Sequence, residues 1–124
     1  MQISISAHAV TRYLERFDRK IKREEARERI MKMLSTGKIV LPKFLTFELR
    51  KHLSLPKTGK NGIAYGVNKE EKAFLVLFLC SNRINVNTLW RVEEEVLLEE
   101  VYNRGIELEK FEEKFKSSFV ALSH

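Results

Sequence analysis

Ser6-Ala7-His8-Ala9-Val10-Thr11-Arg12-Tyr13-Leu14-Glu15-Arg16-Phe17 is the stretch on which the fold turns. Ser6 can offer its hydroxyl to the free N–H groups of a first turn, so the pattern predicts a helix from Ala7 to about Phe17. Val10, Tyr13, Leu14 and Phe17 recur at i, i+3, i+4 and i+7 and form an apolar stripe. His8, Arg12, Glu15, Arg16 and Arg19 fall on the opposite side, within about a third of the circumference. One helix therefore has a core face and a face bearing an imidazole, three guanidiniums and a carboxylate.

Outward from this helix, Gln2 to Ile5 alternates and predicts a short leading strand. A second helix is predicted from Arg23 to Thr36, with Ala26, Ile30, Met33 and Leu34 as its stripe and Gly37 as its stop. Glu24 and Glu25 suit its positive dipole end. After Gly37 the period becomes that of strands: Phe44 to Leu49, continuing at Leu53 and Leu55, then Ile63 to Val67, Ala73 to Cys80 and Ile84 to Arg91. Ala73 to Cys80 is nearly all apolar and reads as a central strand covered on both faces. Pro56 to Gly62, Asn68 to Lys72 and Ser81 to Arg83 supply the turns. From about Val92 the period is helical again, through Val96, Leu97, Val101 and Tyr102, with a break near Gly105. Phe111, Phe115 and Phe119 then predict packing against the sheet, the alternative being an apolar face that docks a partner or a second copy. The expected architecture is one α+β domain over 1–124: two N-terminal helices, an antiparallel sheet of about four strands, and a C-terminal helical extension from about 92.

Charge is distributed unevenly. Residues 1–60 hold 15 Lys and Arg against 6 Asp and Glu, a net of +9; residues 61–124 hold 8 against 11, a net of −3. A concentrated, arginine-rich excess attracts polyanions and releases counterions on contact, although a merely solvated helix surface has a similar composition. The single cysteine, Cys80, excludes an intrachain disulfide and is expected to be a buried free thiol. With no leader-like segment and no apolar run near 18 residues, the expected location is cytoplasmic, away from membranes. His8, His52 and His124 show no i, i+4 pairing and no nearby carboxylate cluster, so neither a metal nor another cofactor is expected.

The polar face of the opening helix has a coherent chemistry. A histidine exchanges protons near neutral pH, and arginines grip phosphate and stabilise charge developing on it. RNA carries its own nucleophile in the 2′-hydroxyl, so cleavage needs only an acid/base and a cationic clamp. The plain alternative is a helix-start histidine beside an i, i+3/i+4 salt-bridge ladder worth tenths of a kcal/mol. Secondary candidates for contact with nucleic acid are Arg19, Lys20, Arg23, Arg50, Lys51, His52, Lys57 and Lys60. Phe47, Tyr65 and Trp90 can stack bases, although sheet packing is their more usual role.

The string S-x-H-A-x-x-R-x-x-E-R, from Ser6 to Arg16, resembles the opening helix of small phage and toxin–antitoxin proteins of the RelE-like, barnase–EndoU–colicin type of ribonuclease superfamily. Gly37 and the segment Asn87-Thr88-Leu89-Trp90-Arg91 extend the resemblance over roughly 2–91. It implies that His8, Arg12, Glu15 and Arg16 on the helix, with Thr88 and Arg91 at the end of the last strand, form a site held against the concave sheet face. The implied activity is a metal-independent endoribonuclease, toxin-like or phage-borne, acting on RNA free or on the ribosome. His8 would serve as acid/base, Arg12, Arg16 and Arg91 as clamp, and Glu15 and Thr88 as assistants. The alternative is a non-catalytic module on the same scaffold, binding nucleic acid or acting as a protein-binding inhibitor. Expected partners are RNA, an antitoxin or host protein, and a second copy docked through the C-terminal helices.

Overall fold

A computed structural model of the chain describes residues 2–55 and 62–114. Strand β1 (Gln2–Ile5) leads into helix α1 (Ala7–Arg16), followed by α2 (Arg23–Thr36) and β2 (Lys38–Val40). A single 3-10 turn (Pro42–Phe44) and a short helix α3 (Phe47–His52) precede strands β3 (Ile63–Asn68), β4 (Ala73–Cys80) and β5 (Arg83–Arg91). Helix α4 (Glu95–Tyr102) and a short strand β6 (Ile106–Glu107) follow, and residues 108–114 are helical. The fold is α+β, with N-terminal helices, short C-terminal helices and a six-stranded mixed sheet curled into a half-barrel.

The sheet has the order β1-β5-β4-β3-β2-β6. Strands β2 to β5 are antiparallel neighbours, whereas β1 pairs parallel to β5 from Gln2 opposite Arg83 to Ile5 opposite Val86. Both faces are covered. On one, α1, α2 and helical residues 108–114 bury Val10, Tyr13, Ile30, Leu34 and Phe111 against Leu75, Leu77, Ile84, Val86 and Leu89. On the other, α3 and α4 bury Leu45, Leu49, Leu98 and Val101 against Val40, Tyr65, Val67, Phe74 and Val76. The apolar strand run is thus explained: alternate residues of β4 feed two separate cores.

Several expectations are corrected. The sheet has six strands rather than about four, and it is mixed rather than antiparallel; two-residue β6 and the long-range β1–β5 pairing leave no local signal. The segment expected as a strand from Phe44 to Leu49 is instead the 3-10 turn and α3. Thr46 caps α3 by accepting the Leu49 N–H at 3.3 Å, and Phe47, which a strand would place on the same side as Leu45 and Leu49, is 71% exposed while those two are buried. Gly37 closes α2 in an extended conformation, not a left-handed one; it is required because a Cβ there would collide with the Val67 carbonyl oxygen. Cys80 is exposed, since β4 runs past the helices that cover it and is open at Phe78 and Cys80. Phe115, Phe119, Lys57 and Lys60 lie outside the described residues. Among the described residues, no helix is long and apolar enough to cross a membrane.

Candidate nucleic-acid interface

Beyond Val86, β5 loses its strand neighbour on the β1 side, and side chains from the α1 region take over. The Ser6 backbone N–H donates to the Val86 carbonyl at 3.0 Å, and the Ser6 hydroxyl donates to the Asn87 carbonyl at 2.8 Å. The same hydroxyl accepts the Ala9 N–H at 3.0 Å, so one serine caps the helix and ties it to the strand. At the other end of α1, Arg16 Nη1 donates to the Leu89 carbonyl at 2.6 Å while its guanidinium lies 5.3 Å from the Trp90 ring centroid. Asn87 is the extra residue of a β-bulge: Thr88 faces Val76 but Val86 already faces Leu77. Burial holds the Arg16 pKa below its ordinary value; the neighbouring Arg12 charge adds to the shift and Glu15 opposes it. Arg16 therefore satisfies a strand carbonyl that no strand reaches.

Arg91 is brought to the same end of the molecule. Its guanidinium stands 6.0 Å from the Phe17 ring centroid, and Phe17 stacks on Tyr13 with centroids 5.1 Å apart. Arg91 is also paired with Glu93 through its Nε. That bond, with help from Lys72, holds the Glu93 carboxyl below its ordinary value. On α1, Arg12 and Glu15 form an i, i+3 pair at 2.7 Å. Thr88 is only 8% exposed. His8 is exposed in the first turn and makes no hydrogen bond or ion pair with any described residue. The helix and the last strand do meet, yet Arg12 and Arg91 are engaged by carboxylates, and Arg16 by a carbonyl and an indole.

The turn from α1 into α2 is different. Asp18 accepts the Lys20 backbone N–H at 2.9 Å and is neutralised by Arg29 at 3.1 Å. Arg29, further held by Tyr13 and Glu25, has its pKa raised, the Tyr13 hydrogen bond being the largest cause. With its only aspartate thus occupied, this corner exposes Arg19, Lys20 and Lys22, none with an acidic partner among the described residues. Arg23 reaches back to α1, donating to the Ala7 carbonyl at 3.1 Å and to the Thr11 hydroxyl at 3.2 Å. Both acceptors are neutral, and Arg23 makes no ion pair among the described residues, although Glu24 and Glu25 follow it in the first turn of α2. Arg19, Lys20 and Arg23 were visible in the sequence; Lys22 was missed, because the residue before a helix looks like punctuation.

The remaining candidates separate from this corner. Arg50 donates to the Pro42 carbonyl at 2.7 Å and fastens α3 to the 3-10 turn. Lys51 and His52 are exposed in the last turn of α3, a helix that covers the face opposite α1 and α2. Tyr65 is buried, and Phe47 is exposed on α3 rather than packed in the sheet. A patch that sequence reasoning overlooked lies at the uncovered end of β4 and β5. There Ser4 donates to Asn85 at 2.9 Å beside Phe78, Cys80 and Arg83, around an open cavity of about 570 Å³. Strand parity was the available signal, since Phe78 and Asn85 are directly paired. Among the described residues, no group of three or more His, Cys, Asp or Glu is placed to hold a metal ion. No protein-family model, curated protein or solved structure matches the chain.

Proposed function

We propose that the protein is an RNA-binding module that grips the phosphate backbone through the α1–α2 corner. The observation that carries this reading is the cluster of Arg19, Lys20, Lys22 and Arg23, whose charges meet no acidic partner among the described residues while the local Asp18 is tied to Arg29. Phosphates contacted there would release counterions, and the four cations would set a steep salt dependence. Surface pairs such as Arg12–Glu15 are worth only about 0–1 kcal/mol, so a phosphate can also compete for Arg12. RNA rather than DNA is proposed on the resemblance of the Ser6–Arg16 string to the opening helix of small ribonucleases. The test is fluorescence anisotropy with a labelled single-stranded RNA over a salt series. Binding that weakens steeply with salt is expected; no binding at low salt would defeat the reading.

A second reading, the metal-independent endoribonuclease, is favoured by one observation: Arg23 reaches the first turn of α1, at the Ala7 carbonyl, beside the exposed His8. Against it stands Arg16, a member of the clamp that such an enzyme would use, which is held by the Leu89 carbonyl and the Trp90 ring. An RNA cleavage assay in the presence of a chelator separates the two. The binding module predicts no cleavage by wild type; cleavage that vanishes in His8→Ala with binding retained would establish the enzyme instead.

A further inference from the structure

Among the described residues, four large apolar side chains are conspicuously exposed: Phe44 at 39%, Phe47 at 71%, Phe78 at 41% and Val96 at 70%. Three of them belong to the layer formed by the 3-10 turn, α3 and α4. Each is outward because the inward positions are already taken. Leu45, Leu49 and Leu53 turn one side of α3 to the sheet, which leaves Phe47 facing away; Leu98 and Val101 do the same for α4 and leave Val96 outside. A concentration of apolar surface on one layer is the usual mark of an interaction site rather than of ordinary scatter.

The charges around it choose the partner. Lys43, Arg50 and Lys51 outnumber Glu48 on the α3 side, whereas Glu94, Glu95, Glu99 and Glu100 lie with α4, so this one layer carries a net positive and a net negative side on adjacent elements. Within the chain, Glu95 and Glu99 lean towards Lys72 and Lys69 at 3.6 and 3.8 Å. Lys51, Glu94 and Glu100 have no ion-pair partner among the described residues. A surface with a net basic side, an apolar middle and a net acidic side complements itself. A twofold axis would lay α3 of one copy against α4 of the other, matching basic to acidic twice.

We propose that the α3–α4 face is the interface of a homodimer, with Phe47 and Val96 at its centre and Lys51 and Glu100 on its rims. Nothing in this assignment depends on RNA. It leaves α1 and α2, on the opposite face of the sheet, open in both copies. Sedimentation velocity over a wide concentration range, on the full chain without nucleic acid, tests it. The expected result is a monomer–dimer equilibrium that Phe47→Asp shifts to monomer, with the same thermal midpoint as wild type only at concentrations where wild type is itself monomeric, since Phe47 is exposed in the single chain. Lys51→Glu or Glu100→Lys alone should weaken the dimer at least about tenfold, because each reversal enters a twofold interface twice, and the double variant should recover most of the loss. A wild type that stays monomeric throughout would overturn the proposal. So would a dimer insensitive to Phe47→Asp, or a double variant no better than the singles.

Discussion

One face of the sheet carries two long helices that bring charge to the surface; the other carries two short helices that bring apolar surface. Helices α1 and α2, of 10 and 14 residues, bury Val10, Tyr13, Ile30 and Leu34 against the sheet and keep most of their Lys and Arg outside. Helices α3 and α4, of 6 and 8 residues, are too short to offer a full inward stripe without leaving Phe47 and Val96 outside. The sheet thereby separates two kinds of recognition, electrostatic on one side and apolar on the other, with a core of its own beneath each.

The comparison is sharpened first by deleting the core under each layer. Ile30→Ala, beneath the long helices, is expected to cost about 2–5 kcal/mol, and Phe74→Ala, beneath the short ones, about 3–5 kcal/mol; both residues are fully buried. Denaturant unfolding measures both. If Phe74→Ala costs well under 1 kcal/mol, the α3–α4 layer is an appendage and the symmetry of the two cores fails. A smaller effect is expected where α1 closes the edge of β5. Arg16→Ala leaves the Leu89 carbonyl without its donor and should cost about 1–3 kcal/mol. Arg16→Lys, which keeps a charge but not the planar reach, should recover only part. Full stability in Arg16→Ala would free Arg16 from its structural duty and return it to the phosphate clamp.

The two sides also differ in how plainly they were written in the sequence. Helices α1 and α2 were legible because their apolar residues keep a helical period over several turns, and because Ser6 announces its cap. Strands β3 to β5 were legible from the turn residues between them. Helix α3 was not: Phe44 to Leu49 is aromatic and branched enough to look like a strand, and only the exposure of Phe47 between buried Leu45 and Leu49 breaks the strand alternation. The parallel β1–β5 pairing joins residues some eighty positions apart, beyond any local pattern. At the candidate site, residue identities were legible but their obligations were not. Nothing near Arg16 in the sequence points to the Leu89 carbonyl. Glu93, by contrast, stands two residues from Arg91 and could have been weighed as its partner. Lys22 and Arg23 became prominent only once Asp18 was seen bound to Arg29.

The central claim, that the unpaired cations at the α1–α2 corner meet RNA phosphates, is tested most directly by the salt dependence of RNA binding in Arg19→Gln/Lys20→Gln/Lys22→Gln beside wild type. These side chains are exposed, so the fold should be untouched. Removing three phosphate contacts at about 0.7 each for a single strand should reduce the slope of log affinity against log salt by roughly 2, with weaker binding at every salt concentration. An unchanged slope with unchanged affinity would place the polyanion elsewhere on the molecule and contradict the account.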